Sequence, residues 1–448
     1  MAKNLVYDIY DRPKFVQMLV FAFQQVLAIL AATILVPAIV GHGMSQSAAL
    51  FGAGVGTIIY QLFTKFRSPV FLGSSFAFIG SMSAAFAGGV SMSLGYLGLI
   101  LGAAFAGLVY VIIAIIVKFV GVKWINKIMP TVVIGPTVAL IGLSLSVNAV
   151  GDLTKGKVLI GNVSACSPYV ALVCGLATLF AIFLFSTYGK KMAKLIPFIL
   201  GILVGYIVAA IFTVIGIATN DISLQVINFD AFNNMQIFAV PDFTFLTAFG
   251  GFKEINPSYI ASIAVAYIPV AFVVFAEHIA DHKNLSSIIE KDLLEDPGLH
   301  RTLLGDGVGS VAGAFFGGCP NTTYGESVGC VAITKNASVI TITTAAIMCM
   351  VISFFGPFVT FLASIPNCVM GGVCVALYGF IAVSGLKMIQ KVDLNESRNL
   401  FVVSAILIPG IGGLTVSFSG ITITTVACAL ILGIITNFLL NIKKDKTE

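Results

Sequence analysis

Apolar blocks of about the length of a bilayer span follow one another along the chain, with only short polar connections between them. About 20 mostly apolar residues cross a membrane as a helix. Hydrophobic residues make up 58% of the chain and charged residues only 10%, whereas about a quarter of a soluble domain is charged. The sequence therefore predicts an all-α polytopic membrane protein. Its fourteen expected transmembrane segments lie at 16–39, 48–63, 70–85, 94–117, 129–149, 168–187, 196–217, 258–280, 303–318, 322–334, 338–356, 366–386, 399–414 and 420–440.

The basic residues give these segments an orientation. Cytoplasmic loops are enriched in lysine and arginine, and with the N-terminus inside, only Lys155, Lys157 and Lys253 fall on the outer side. We therefore expect a multi-pass protein of the cytoplasmic (cell) membrane with both termini in the cytoplasm. The long inner connection 283–301 is expected to be an amphipathic surface helix or a solvated linker. No basic run indicates a nucleic-acid partner.

Two interrupted segments stand at matching places in the two halves of the chain. Fourteen segments divide as seven plus seven, and this inverted repeat is common in secondary transporters, where paired Gly/Pro-interrupted segments mark the binding site. Segment three, SPVFLGSSFAFIG (68–80), and segment ten, CPNTTYGESVGC (319–330), each run from a proline through a β-prone stretch to a glycine. We predict that each is a short strand followed by a half-helix whose N-terminal amides face a cavity. The alternative is a pair of kinked packing helices.

Four acidic residues fall within or at the edge of the predicted segments: Glu277, Asp281, Asp306 and Glu326. A charge at the bilayer centre costs at least about 2.5–3.5 kcal/mol, so such residues are functional candidates by default. Glu277 and Asp281 are four residues apart and share a helical face. Glu326 follows Gly325 at the start of the half-helix, where the helix dipole favours a carboxylate.

Three interpretations of this region remain open. His278 and His282 have a spacing that suits zinc ligands, although HExxH and a nearby cysteine are both missing from the sequence. Capping or ion pairing at the inner interface is a second interpretation, for Asp281 and His282. Ligand binding or proton transfer is the third, and it suits the deeper Glu277 and Glu326 best.

At these residues the chain resembles the nucleobase–ascorbate transporter family, and within it the bacterial uracil–proton symporters. The resemblance extends from QQVLAILAATILVP (24–37) to the last segment, and it is densest in FLGSSFAFIG, VVFAEHIADH, DLLEDPGLHR and PNTTYGESVGCVAITK. The family signature, an acidic, amide or proline residue before Asn-x-Gly, appears here as ESVGCVAITK (326–335). Ser327 replaces the usual asparagine, which puts any role specific to asparagine in doubt.

The resemblance implies a homodimer with a core domain and a gate domain. The core domain would comprise 1–128 (segments 1–4) and 257–365 (segments 8–11). The gate domain would comprise 129–256 (segments 5–7) and 366–448 (segments 12–14). Family members bind the base between the half-helices of segments three and ten.

The resemblance also implies a set of site residues. Glu277 and Glu326 would accept hydrogen bonds from ring N–H groups. The backbone amides of Phe76 and Gly325 would donate to ring carbonyls, and the Phe76 ring would pack on the base. The implied substrate-binding residues are Glu277, Glu326, Phe76, Gly325, Tyr324, Tyr378, Ala32 and Ser75, and the implied proton-coupling residues are Glu277, His282 and Asp281.

The function that follows is proton-coupled uptake of uracil across the cytoplasmic membrane, with no cofactor and no metal. Uracil has two N–H donors and two carbonyl acceptors, so two carboxylates and two amides would complement it, and a buried carboxyl group can carry the proton. A carrier of the same fold for a purine base, xanthine or urate, is the nearest alternative, although the acid at position 326 favours uracil. An inorganic anion carrier is less favoured because no basic residue is buried near the half-helices. A membrane-embedded metal-dependent enzyme is the alternative from another class, and a channel is disfavoured.

Overall fold

The computed structural model describes residues 5–121, 130–160, 163–190, 192–233, 235–418 and 421–441. Within these ranges the α-helices are α1 Phe15–Val40, α2 Gln46–Phe63, α3 Ile79–Ala85, α4 Met92–Val120, α5 Thr131–Ser144, α6 Ser146–Asp152, α7 Pro168–Tyr188, α8 Met192–Leu195, α9 Pro197–Thr219, α10 Thr244–Ala248, α11 Pro257–Ile289, α12 Leu299–Gly317, α13 Gly325–Thr334, α14 Val339–Ile352, α15 Gly356–Ser364, α16 Asn367–Ile389, α17 Ser397–Ile411 and α18 Thr425–Asn441. The strands are β1 Leu72–Ser74, β2 Leu159–Ile160, β3 Val163–Ser164, β4 Asn321–Thr323, β5 Val416–Phe418 and β6 Ile421–Ile423. Short 3₁₀ turns occur at Phe76–Phe78, Ala87–Gly89, Ile222–Leu224, Phe229–Phe232 and Phe249–Lys253, and a π turn at Leu294–Gly298.

Seven helical stretches in the described part of the chain are long and apolar enough to cross a membrane. They are Phe15–Val40, Met92–Val120, Thr131–Asp152, Pro168–Tyr188, Pro197–Thr219, Pro257–Ile289 and Asn367–Ile389. Shorter apolar helices, such as Val339–Ile352 and Ser397–Ile411, lie at other predicted segments. The chain is thus a mostly helical, multi-pass membrane protein, and the count of fourteen remains a prediction. Both termini (1–4 and 442–448) and the predicted domain boundary at 128/129 lie outside the described residues.

The longest of the described helices, α11, carries two of the four membrane carboxylates, Glu277 and Asp281. It begins where the Asn256 side chain accepts a hydrogen bond from the Tyr259 amide at 2.9 Å, with Pro257 at its first position, a favoured helix start. It then continues unbroken to Ile289 because Leu285 and Ile289 remain buried. The expectation of a separate surface helix or linker over 283–301 was therefore wrong for its first third. Residues 283–289 extend α11, and α12 begins at Leu299.

Strands β1 and β4 are the point where the two halves of the chain meet. They pair antiparallel, with Leu72 opposite Thr323, Gly73 opposite Thr322 and Ser74 opposite Asn321. Proline and glycine at their ends release the chain from helical geometry, and the pairing satisfies backbone groups that lipid could not. Each strand then leads into a short helix. Strand β1 is followed by a 3₁₀ turn and α3, and β4 is followed by α13.

Glycines let the helices around this strand pair pack closely. The glycines of GAGVGT (52–57) are on or near the buried face of α2, and α2 packs against α12. A Cβ added to Gly52 would meet the backbone of Gly313, and one added to Gly56 would meet the backbone of Gly309. Such small residues are a common means of helix association in membranes. The glycine-rich stretch is thus a packing surface between α2 and α12.

Candidate functional site

Two helices begin beside the strand pair and leave amide groups free. The 3₁₀ turn that starts at Phe76 follows β1, and α13 starts at Gly325 just after β4. The first amides of a helix have no acceptor within it. The two segments are held together here because the Ser75 amide donates to the Pro320 carbonyl at 2.9 Å. The N–H groups of Phe76 and Gly325 therefore lie at two helix starts in adjoining segments of the chain.

Tyr324 fixes the contact between the segments. Its hydroxyl donates to the Ser74 carbonyl at 2.6 Å, and its ring lies against Gly73, where an added Cβ would collide with it. Gly73 is thus required by close packing, not by an unusual backbone angle. The ring of Tyr324 can line the site, while its hydroxyl is already bonded to β1.

A cavity of 230 Å³ lies at the meeting point. Its polar wall comes from segments three and ten and from α11, and α5 and α16 supply an apolar wall. The residues that line it are Ser75, Phe76, Ala77, Ile134, Val138, Ile141, Ala276, Glu277, Ala280, Asp281, Thr322, Thr323, Tyr324, Gly325, Glu326, Leu377, Phe380, Ile381, Ser384 and Met388.

Three carboxylates converge on this cavity. Glu277 and Asp281 lie one turn apart on α11, and Glu326 occupies the first turn of α13, where the helix dipole favours negative charge. Asp281 accepts a hydrogen bond from the Thr323 hydroxyl at 2.8 Å. That bond ties α11 to β4, so Asp281 helps to join the two elements as well as lining the cavity.

Three predicted site residues stand outside this lining. The Tyr378 ring contacts the Phe76 ring edge-on at a centroid distance of 6.4 Å, and Tyr378 lines a neighbouring cavity with Asp152 and Lys155. Ala32 is buried within α1. The His282 ring donates from Nδ1 to the His278 carbonyl at 2.8 Å, and its Nε2 lies 2.7 Å from the Tyr60 hydroxyl.

Sequence reasoning treated His278 only as a possible zinc ligand and missed its actual partner. Its Nδ1 donates to Asp306 Oδ2 at 2.7 Å, its Nε2 lies 3.0 Å from the Thr302 hydroxyl, and both His278 and Asp306 are fully buried. The rings of His278 and His282 stack with centroids 4.1 Å apart. Both ring nitrogens of each histidine are thus engaged within the protein. Among the described residues, no cluster of three or more His, Cys, Asp or Glu side chains could hold a metal ion.

Ser327, which replaces the usual asparagine of the signature, faces away from the cavity. Its hydroxyl accepts from the Phe71 amide at 3.0 Å and from the Gln25 side-chain amide. The residue is fully buried. It connects α13 to α1 and to the residue just before β1. The serine thus keeps a hydrogen-bonding side chain at the position of the usual asparagine.

Broken segments that meet at a cavity lined by carboxylates, in a helical membrane protein, are typical of secondary transporters. They define the class: the chain is a transporter. A family model described as "Permease family" matches residues 16–419. The chain belongs to this permease family, which confirms the resemblance seen in its sequence and sets aside the enzyme alternative.

Relatives agree with this assignment, and a solved structure shares the fold. The chain is 38% identical to a uracil permease of Bacillus caldolyticus, over 97% of this chain and 94% of that protein. It is 36% identical to the uracil permease of Bacillus subtilis (strain 168), over 99% and 97%. The transmembrane domain of a cyanobacterium bicarbonate transporter, BicA, has the same fold: the TM-score is 0.63 at 15% identity, covering 96% of this chain and all of that one.

Proposed function

We propose that this protein takes up uracil by symport with protons, across the cytoplasmic membrane. The observation that carries the proposal is the composition of one cavity wall, where Glu277 and Glu326 stand beside the helix starts at Phe76 and Gly325. The proposal draws further support from relatives named uracil permeases, which match nearly the full length of the chain.

The proposed wall complements a pyrimidine dione. Carboxylates only accept hydrogen bonds when ionised, so Glu277 and Glu326 would take the two ring N–H donors. The amides of Phe76 and Gly325 would donate to the two ring carbonyls. The Phe76 ring offers an aromatic face for stacking, and the apolar residues of α5 and α16 would close over the other face of the base.

The proposed proton carrier is Glu277. A carboxylate inside an apolar protein must be stabilised by partners or take up a proton. A protonated Glu277 keeps an oxygen that can accept from a ring N–H, so the proton and the base can occupy the site together, as symport requires. Proton uptake and base binding at Glu277 are therefore linked. Asp281 is the second proposed proton group because it lines the same cavity one turn further along α11. His282 would act through α11 itself, since its ring is bonded to Tyr60 and to the His278 carbonyl.

The proposed architecture is the fourteen-segment inverted repeat, assembled as a homodimer, with core and gate domains at the boundaries given above. The antiparallel pairing of β1 with β4 supports it, because repeats of opposite orientation bring equivalent strands together head to tail. Packing of α2 and α4 on α12, and of α5 and α7 on α16, supports the division into two domains. Reporter fusions after Lys194 and Lys391 should read cytoplasmic, and a fusion at Asp230 should read external.

Purified protein in liposomes provides the test. Labelled uracil should accumulate when an inward proton gradient is imposed, and an uncoupler should abolish that accumulation. Unlabelled thymine, xanthine and urate, added in competition, separate a pyrimidine site from a purine site. Accumulation that follows a sodium gradient after the proton gradient has collapsed would exclude proton coupling, and stronger competition by xanthine than by uracil would make the protein a purine carrier.

A further inference from the structure

The N-terminal residues 5–11, here called the N-terminal strap, lie along the connection that follows α13. The amides of Val6 and Tyr7 donate to the Lys335 carbonyl at 2.8 and 3.3 Å. The Ala337 amide donates to the Tyr7 carbonyl at 2.9 Å, and the Val339 amide donates to the Ile9 carbonyl at 3.1 Å. The strap thus pairs like a short parallel strand with the connection between α13 and α14.

The strap meets α13 at the end opposite the cavity. Lys335 ends this helix in a left-handed conformation, with φ 59°, which is uncommon for a residue with a side chain and needs support from its surroundings. The last carbonyls of a helix have no partner within it, and here the strap amides supply partners for the carbonyl of Lys335 itself. The strap therefore stabilises the turn that fixes where α13 ends.

Two side chains fasten the strap to the rest of the protein. Ile9 is only 4% exposed and belongs to a core cluster that includes Leu72 of β1, Leu285 of α11 and Val328 of α13. The Asp8 carboxylate binds the Lys291 ammonium through both oxygens, at 2.9 and 3.0 Å. One short segment thus packs into a core cluster that it shares with all three elements that supply the polar wall of the cavity.

We propose that the N-terminal strap holds α13 in the position that brings Glu326 into the cavity, with Asp8 and Ile9 as positioning residues. A helix of ten residues has marginal stability alone, so contacts at both ends must hold it in place. Tyr324 and Ser327 fix its start against β1 and α1, and the strap fixes the end that follows Thr334. This inference rests on the proposed function in one respect: uracil affinity is the readout for the position of Glu326.

Charge variants of the full chain test the ion pair. Asp8→Lys places two ammonium groups together, and we expect the dissociation constant for uracil, measured by calorimetry, to rise ~5-fold or more. Lys291→Asp should behave alike, and the exchanged pair Asp8→Lys with Lys291→Asp should recover wild-type affinity. Glu396→Lys is the matched control: it breaks the exposed Arg398–Glu396 pair at the start of α17, and it should leave affinity unchanged.

Hydrogen exchange of the same variants distinguishes positioning from general destabilisation. Asp8→Lys should speed amide exchange over 325–339 and leave the peptides of α2 and α4 at their wild-type rates. Ile9→Ala should do the same, whereas Val6→Ala, which trims a 62% exposed side chain, should not. Wild-type affinity in both Asp8→Lys and Ile9→Ala, or faster exchange throughout the chain, would overturn the proposal. Failure of the wild-type protein to bind uracil would instead refute the proposed function and leave the exchange test standing.

Discussion

The imidazole of His278 donates to the carboxylate of Asp306 at 2.7 Å, and neither side chain is exposed. This pair joins α11 to α12 one residue away from Glu277, yet neither member lines the cavity. Buried polar groups in a membrane protein are costly unless they are hydrogen-bonded. The pair therefore stabilises the part of α11 that presents Glu277 to the cavity.

Loss of the His278 ring should destabilise the protein strongly. His278→Ala leaves Asp306 buried without its hydrogen-bond partner, which costs about 1–3 kcal/mol, and it also opens a cavity where the ring packed. Thr302→Val removes only one hydrogen bond to the ring, which is worth about 1 kcal/mol. Thermal unfolding in detergent can be measured as the loss of the size-exclusion peak after heating. The midpoint should be clearly lower for His278→Ala than for Thr302→Val. Equal midpoints would show that the pair adds little stability.

Gly73 should not tolerate even one added methyl group. In Gly73→Ala the new Cβ meets the Tyr324 ring, so β1 and β4 must separate and the helix starts at Phe76 and Gly325 must shift. We expect uracil binding to fall below detection. Gly80→Ala is the control, because a Cβ there meets nothing within 4 Å, and calorimetry should give wild-type affinity. Binding by Gly73→Ala would mean that the strand pair does not set the site.

The sequence was most informative where residue types conflict with a membrane environment. Proline and glycine at 69–73 and 320–325 located both strands, because they interrupt apolar helices in matching places. Carboxylates are so costly in lipid that the sequence singled out four of them as functional candidates. Glu277, Asp281 and Glu326 line one cavity, whereas Asp306 is bonded to His278 outside it.

Apolar lining residues could not be predicted in the same way. Val138 of α5 and Leu377 of α16 line the cavity, but in the sequence they resemble residues that face lipid or another helix. His282 shows a different limit. A helix turns about 100° per residue, so His282 lies roughly 140° around α11 from Glu277, whereas Asp281 lies only about 40° away. That rotation directs His282 toward Tyr60 and away from the helix face that carries Glu277 and Asp281. The sequence did not reveal Tyr60 as its partner.

Ser327→Ala should weaken the junction between α1, α13 and the chain before β1. The buried Phe71 amide loses its acceptor at 3.0 Å, and an unsatisfied buried donor costs about 1–3 kcal/mol. The thermal midpoint should fall, and uracil affinity should fall with it. Ser404→Ala removes an exposed hydroxyl that bonds only within its own helix, and its midpoint should stay at the wild-type value. A Ser327→Ala protein as stable as Ser404→Ala would contradict this role.

The two glutamates of the cavity should differ when each is replaced by glutamine. Glu326 sits in the first turn of α13, where the dipole stabilises a fixed negative charge. Glu326→Gln would turn an amide donor toward a ring N–H, and leaving that donor unsatisfied should abolish detectable binding. Glu277→Gln imitates the protonated carboxyl, so it should retain some binding and uracil exchange while losing accumulation driven by a pH gradient.

Calorimetry and counterflow in liposomes, at pH 5 to 8, separate these properties in each variant. Binding should vary with pH in the wild type, because proton and base share Glu277, and it should lose most of that dependence in Glu277→Gln. Ser384→Ala, which alters the cavity wall on α16 without touching a carboxylate, should keep the wild-type pH dependence. If Glu277→Gln still accumulates uracil against its gradient, another group carries the proton. Asp281 is then the first residue to replace, because its carboxylate lies in the same cavity, and Asp306 is the next.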